Sequence, residues 1–598
     1  MSVIYLITLF ALFFTILLLK KSTKKTNVLS SIVYTSCIIF FYDVFIAYVL
    51  TGINLKNTLL LYSLIYILTS LILIGINYHK NKKIVFQKYY LDQNQLIGFI
   101  IIILVCFTVG FFKYNKFGEI DYLITDAALH YKMADYYSIT QKMFNVALND
   151  GVKIYDKAMT GFYVPCGILM NIMPCAKYIS YNLFNTSVLC LTSLTAYILC
   201  LEIKNNKKNN ILSVFLVLMY TLAYPLSYMI YGFGYLGSGI IAITLIIYTW
   251  KLILKEERKS LYLVLTLFNF SLFFSYYLFV PVIYLAQGLF IIYRYMRGNY
   301  KLITLFIIGF ITLIVPTIIG YMYFVYTGSV SSTVSTSASN FLIEGSAYKN
   351  LWGNFVLLIP MIIYAIITEI KNKKIDFDIF MLVIELIYIF ITLYLTTKSK
   401  MSTYYYYKSY YVLWIICYVY IYKLINNSKY KTNLIINYSL IILMIIITIT
   451  EFEQKVIQSN INFSSTPVGK ELASVYAANY NTFNPHDVVD KDLAKLMLET
   501  TKYDKKCELK GKNKTLPYAG NFYQKLWYYG LTSNTPTINY NKEMVNNVFI
   551  KAFDYKEFLE TDKVKCAVIP KAYLEKNKIN IRKHQILYKN KAGYLIKK

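Results

Sequence analysis

LIGFIIIILVCFTVGFF (residues 96–112) runs through a short polar link into EIDYLITDAALHYKMADYY (119–137), and the fold turns on that junction. The first segment is 17 residues of nearly unbroken apolar character, long enough as a helix to cross a hydrocarbon core of ~30 Å. The second gathers Glu119, Asp121, Asp126, His130 and Asp135 just where such a helix leaves the bilayer. Either those groups do chemistry at the membrane surface, or they merely wet a loop.

Working outward, comparable apolar runs recur along the chain as far as residue 450 and then stop. The 598 residues are 57% hydrophobic and only 15% charged, against about 25% charged in soluble domains. The pattern predicts an all-α polytopic membrane protein of about 14 transmembrane helices: 3–19, 28–50, 58–77, 96–113, 181–201, 211–230, 238–254, 261–276, 278–293, 302–326, 351–369, 378–397, 410–423 and 433–450. The first run is followed by KKSTKK rather than a small-residue cleavage site, so it reads as a retained helix. Residues 1–95 are expected to be an N-terminal three-helix membrane addition, 96–450 a membrane core, and 451–598 an extracytoplasmic soluble α/β domain.

Charge sets the orientation. KKSTKK (20–25), HKNKK (79–83), KNNKK (204–208), KEERK (255–259), RYMR (294–297), KNKK (371–374) and KYK (429–431) occupy alternate loops. Basic loops stay in the cytoplasm, so both termini and loop 114–180 are expected outside a plasma membrane crossed many times. Net charge is +30, but it lies in these loops and scattered over the tail, which has 24 Lys and one Arg against 15 acids. That distribution argues against nucleic acid and for a surface facing anionic headgroups or glycopolymers. One loop breaks the alternation: TTKSKMSTYYYYKSYY (396–411) is expected outside yet carries Lys398, Lys400 and Lys408 among tyrosines. It is either an interfacial aromatic belt with snorkelling lysines or a place that holds a lipid phosphate. Of nine cysteines, Cys166/Cys175 and Cys507/Cys566 are the pairs outside apolar runs, and either bridges if its side is oxidising.

Thr125 is placed to N-cap a helix over 126–144. On that helix Asp126 and His130 are i, i+4 and share a face, with Tyr137 further along the stripe. Three readings stay open. The acids are solvated on a surface helix along the interface; or Asp121, Asp126 and His130 hold a divalent cation, with no closed ligand set to fix it; or Asp126 is a general base acting on an acceptor hydroxyl.

A membrane helix, an external loop with Asp126, His130 and Ala134 in the pattern D-x-x-x-[HY]-x-x-x-A, and then Tyr163 and Pro165 in GFYVPCG resembles the GT-C superfamily of polyprenyl-phosphate-sugar-dependent membrane glycosyltransferases. The resemblance covers roughly residues 96–410. It implies a catalytic Asp126 assisted by Asp121 and His130, a polyprenyl-phosphate-linked sugar donor, inversion at the anomeric carbon, and an extracytoplasmic glycan or glycolipid acceptor in a bacterial cell envelope. Lys398, Lys400 and Lys408 are then the candidates for the carrier phosphate, with Tyr163 in the substrate site. No cofactor is certain, and a divalent cation is left open. Ala127 stands where many members have Glu, and the loop follows the fourth span rather than the first.

Other classes remain. Asp43 and Glu385 lie inside apolar runs; a flippase or transporter needs such buried charges, while neighbouring tyrosine hydroxyls satisfy them on a structural reading. A polysaccharide polymerase or ligase is expected to bear external arginines and histidines, and the chain has only Arg258, Arg294, Arg297 and Arg582, the first three expected in the cytoplasm or at that boundary. The tail predicts a helix over 491–504 and a terminal hairpin turning at Asn590–Gly593. Trp527 with Tyr523, Tyr528 and Tyr529 is either core or a sugar-stacking face.

Overall fold

The computed structural model describes residues 1–19, 25–120, 125–143, 160–203, 210–222, 233–256, 258–327, 353–372, 375–398, 403–426, 489–507, 522–532, 553–562 and 564–598, with short pieces around 225–229, 400–401, 439–446 and 518–520. The fold is helical, with a small sheet near the C-terminus. Among the described residues, eight helical segments are long and apolar enough to cross a membrane.

Polar caps set where the first of these begin. Asn27 accepts from the backbone N–H groups of Leu29 and Ser30 at the start of α2 (Val28–Gly52). Thr58 does the same for α3 (Leu59–Asn81), and Asp92 for α4 (Gln93–Lys113). Each cap satisfies N–H groups that the apolar run cannot. Helix α1 (Ser2–Leu18) pairs with α3 at the periphery, whereas α2 packs on α6 (Thr160–Ile172) and α7 (Lys177–Ile203) in the centre. A short α8 (Asn210–Leu222) leads to α9 (Gly234–Lys255), whose residues are buried almost throughout.

The apolar stretch Lys259–Met296 folds back on itself as α10 (Lys259–Tyr276) and α11 (Val280–Met296). Asn269, Gln287 and Trp250 lock this hairpin to α9. The Trp250 indole donates to Gln287 Oε1 (3.2 Å), and Gln287 Nε2 donates to Asn269 Oδ1 (2.8 Å). Asn269 Nδ2 also donates 2.7 Å to the Thr312 carbonyl, within a π turn (Phe310–Ile314) that joins α12 (Leu302–Gly309) to α13 (Val315–Thr327). Buried amides left unpaired are costly; here they satisfy one another.

Helices α14 (Gly353–Asn372), α15 (Phe377–Thr397) and α16 (Thr403–Asn426) complete the bundle. An ion cluster ties one end of it together. Lys423 meets Glu369 at 2.5 Å and Asp378 at 2.9 Å, while Lys251 of α9 reaches the same Asp378 oxygen at 2.6 Å.

The two intramembrane acids part ways. Asp43 follows the tyrosine expectation: Tyr66 donates to its carboxylate, and Tyr5 lies 3.1 Å from the Tyr66 hydroxyl. Glu385 departs from it. The side chain is fully buried and neither carboxyl oxygen has a hydrogen-bond partner among the described residues.

Helix α5 (Thr125–Thr140) is shorter than expected because Gln141 turns into the left-handed region at φ 55°. It is also no surface helix. From Ala127 to Ser138 only Leu129 is exposed, and the buried side chains include His130, Lys132, Asp135 and Ser138. Its far end rests on the N-terminal helices: Tyr62, whose hydroxyl donates to the Asp43 carbonyl, sits 3.0 Å from the Tyr137 hydroxyl. The Gln141 carbonyl accepts from the Asn57 N–H at 2.7 Å. Lys177 pins the middle through Asp135 (2.6 Å) and Ser138 Oγ (2.8 Å).

The C-terminal residues close the remaining side. Asp490 caps α17 (Lys491–Glu499), which ends short of the expected 504. The terminal hairpin forms as expected, with β2 (Gln585–Lys589) antiparallel to β3 (Gly593–Lys597) and Asn590 Oδ1 accepting from Ala592 N at 3.0 Å in the turn. Strand β1 (Cys566–Pro570) pairs on the other edge of β3, giving the order β1-β3-β2. A disulfide joins Cys507 to Cys566, whereas Cys166 and Cys175 are free. Helix α18 (Phe522–Thr532) lies on α5. Trp527, Tyr528 and Tyr529 are buried, which makes them core and not a sugar-stacking face, while the Tyr523 side chain lies outside the described residues. Lys132 donates to the Tyr529 hydroxyl, and its Nζ stands 3.8 Å over that ring.

Close approach of α18 requires Gly530, where an added Cβ would lie 2.9 Å from the Ala128 carbonyl oxygen. Gly530→Val is therefore expected to lose about 1–3 kcal/mol of docking through overpacking. Limited proteolysis of the purified protein should then release the C-terminal region faster than from wild type.

Candidate functional site

His130, Tyr163, Tyr235 and Lys408 meet where α5, α6, α9 and α16 converge. The His130 Nδ1 lies 2.7 Å from the Tyr163 hydroxyl, and its ring centroid is 4.6 Å from that of Tyr235. Lys408 Nζ donates 2.8 Å to the Tyr235 hydroxyl. The ammonium also faces the rings of Phe233 at 4.3 Å and Tyr276 at 5.0 Å. His130 and Lys408 are 5% and 4% exposed, so a cation and an imidazole share a nearly dry aromatic enclosure. Cation–π attraction offsets part of the desolvation of Lys408.

Local sequence explains why each element arrives there. Gly234 opens α9 where an added Cβ would meet Phe162 at 2.2 Å and Asn185 Oδ1 at 2.4 Å, so only glycine lets Tyr235 come in this close. Tyr276 ends α10 with an extended backbone (φ −156°) before the 3₁₀ turn Tyr277–Phe279, which brings its ring against Lys408.

Burial, and then the positive charge of Lys408, push the His130 imidazole down to about 3. It is therefore neutral at physiological pH. It serves as a hydrogen-bonding partner of Tyr163 rather than as a general acid. Tyr235, receiving a bond from an ammonium, has its phenol oxygen aligned with a positive charge.

Of the residues singled out from sequence, His130, Tyr163 and Lys408 are brought together. Lys398 and Lys400 are exposed in the turn between α15 and α16 and are not among the buried groups of this cluster. Lys408, Tyr406, Tyr410 and Tyr411 are buried, so this part of the Tyr-rich loop is bundle interior rather than an interfacial belt. Asp126 stands in the first turn of α5, one turn before His130, and its side chain lies outside the described residues, as does the whole of Asp121. Among the described residues no three His, Cys, Asp or Glu side chains are grouped to hold a metal ion. Sequence reading missed Phe233, Tyr235 and Tyr276. The glycines of YGFGYLGSG (231–239) were the available signal, marking where backbones approach closely.

No protein-family model matches the chain, and neither does any curated protein sequence.

A neutral buried His130 couples folding to pH. The unfolded chain takes up a proton at about the ordinary 6.5, whereas the folded one resists until about 3. Between those values the unfolded state binds more protons, so stability falls as pH falls. Thermal melting of wild type should decline over that window, and His130→Gln, which cannot take up the proton, should flatten the decline.

Proposed function

We propose that this protein is a GT-C-type inverting glycosyltransferase of the plasma membrane. It moves a sugar from a polyprenyl-phosphate carrier to an extracytoplasmic glycan or glycolipid acceptor. The meeting of His130, Tyr163 and Lys408, with His130 one turn along α5 from Asp126, carries the reading. In this reading the chain crosses the bilayer about 14 times with both ends outside, as the alternating basic loops predict. The Cys507–Cys566 disulfide supports an oxidising exterior for the tail.

The roles follow from charge. Asp126 accepts the proton of the acceptor hydroxyl as its oxygen bonds to the anomeric carbon. The bond from that carbon to the carrier phosphate breaks, and its electron pair leaves on the phosphate. Lys408 meets the developing phosphate charge through a charge-assisted hydrogen bond, in surroundings where water screens little. His130, neutral and bonded to Tyr163, orients the reacting hydroxyl.

Purified protein incubated with a polyprenyl-phosphate-sugar and a cell-envelope glycan or glycolipid acceptor should release the carrier phosphate, and Asp126→Asn should slow turnover by about 10²-fold or more, as loss of a general base does. Lys408→Met should lower kcat more than it raises the KM for the donor, because the charge it meets develops only as the bond to the phosphate breaks. Unchanged turnover in Asp126→Asn removes that residue from the role. Lack of turnover in wild type across several carrier-linked sugars overturns the reading.

A further inference from the structure

Helix α15 carries four buried oxygen-bearing side chains on a single face. Asp378, Glu385, Thr392 and Thr396 follow one another at intervals of seven, seven and four. With 3.6 residues per turn they fall within an arc of about 40°, and the stripe extends about 27 Å along the axis. That length nearly matches the hydrocarbon thickness of ~30 Å. All four are 3% exposed or less.

Among the described residues, three members of the stripe have an oxygen without a hydrogen-bond partner. Both carboxyl oxygens of Glu385, Oδ1 of Asp378 and Oγ1 of Thr396 are buried and make no hydrogen bond among the described residues. Native interiors rarely leave such groups unmade, and three on one helix face point to a shared polar occupant. The face packs against α11 and α16. The charged groups around it are Lys251 of α9, Lys423 of α16, Glu369 of α14 and Asp376 just before α15, which cluster at Asp378. Tyr388 lies one turn along from Glu385, within electrostatic reach of it and of Tyr405 of α16.

We propose that this stripe is a proton track through the bilayer, with Glu385 as its central exchange site. The track is independent of the sugar-transfer reading. Asp378 and Glu385 are about 10 Å apart along the helix, so water molecules carry the proton between them. Glu385 gives its proton to a water on the Thr396 side and becomes a carboxylate. A hydronium from the Asp378 side restores the acid, so one O–H bond forms for each one broken. At the Asp378 end one carboxylate oxygen is already taken by Lys251 and Lys423, so the stripe offers only the Glu385 carboxyl and widely spaced single oxygens, not the closed set of oxygens that a metal cation needs, and the proton is the cargo.

The test uses the full-length protein in liposomes holding a pH-sensitive dye, with valinomycin and a potassium gradient setting the potential and no sugar donor present. Wild-type vesicles should acidify faster than protein-free ones, and Glu385→Gln should cut the flux by about tenfold or more, as loss of an intramembrane relay group does. Glu385→Asp should keep part of it, and Thr396→Val should lower it. Melting temperature checks that each variant folds. If Glu385→Gln does not fold, Thr396→Val and Asp378→Asn decide the matter in its place. Infrared difference spectra should show a protonated carboxyl band in wild type that Glu385→Gln removes. Flux equal to that of empty vesicles, flux unchanged by the substitutions, or sodium carried in place of protons overturns the proposal.

Discussion

Helix α5 has almost no free surface, and that confinement governs the site. A sixteen-residue helix carrying Lys132, Asp135 and His130 gains nothing from burial by itself, because each polar group removed from water must find a partner. The partners come from regions far apart in sequence: Tyr163 for His130, Lys177 for Asp135, Tyr529 for Lys132 and Tyr62 for Tyr137. The N-terminal helices and the C-terminal region, outwardly additions at either end of a membrane core, therefore both act on the same helix. With its far end on α3 and its opening turns under α18, α5 holds His130 at a fixed depth beside α9 and α16.

The enclosure around Lys408 repeats that logic with rings in place of carboxylates. A buried ammonium paired to a carboxylate is fixed by its ion pair, and its charge is largely spent there. Against Phe233, Tyr235 and Tyr276 the charge is cushioned by ring faces and still projects an electrostatic field. At the opposite end of the bundle, Lys251 and Lys423 are bound directly to Asp378 and Glu369, an arrangement that ties helices together. The two ends of one bundle thus use the same residue type for different purposes.

Much of the architecture was legible in the sequence because its signals are local. Apolar run length gives the eight long helical segments found among the described residues, although the caps at Asn27, Thr58 and Asp92 that start three of them emerged only in the structure. The Asn590 turn is readable from its own four residues. Burial of α5 was not legible, since alternating polar and apolar residues look the same on an interfacial helix and on one whose polar groups are satisfied by distant segments. Tyr235 escaped notice for a related reason: one tyrosine among 62 gives no sign of which lysine it will meet. Lys398, Lys400 and Lys408 look alike in sequence, and only the start of α16 separates the buried one from the exposed pair. Asp43 and Glu385 are equally alike on paper, and the difference lies in whether a tyrosine on a neighbouring helix comes within reach.

The bond between Lys132 and Tyr529 spans 397 residues of chain. On a ribosome adding about 5–20 residues per second, the helix that holds Lys132 emerges roughly 20–80 s before its partner is made. During that interval the membrane helices can already be inserted while the ammonium stays hydrated and α5 stays unseated. Docking of α18 on α5 thereby follows insertion of the helices made before it, and a nascent chain stalled ahead of α18 holds Lys132 without its ring partner.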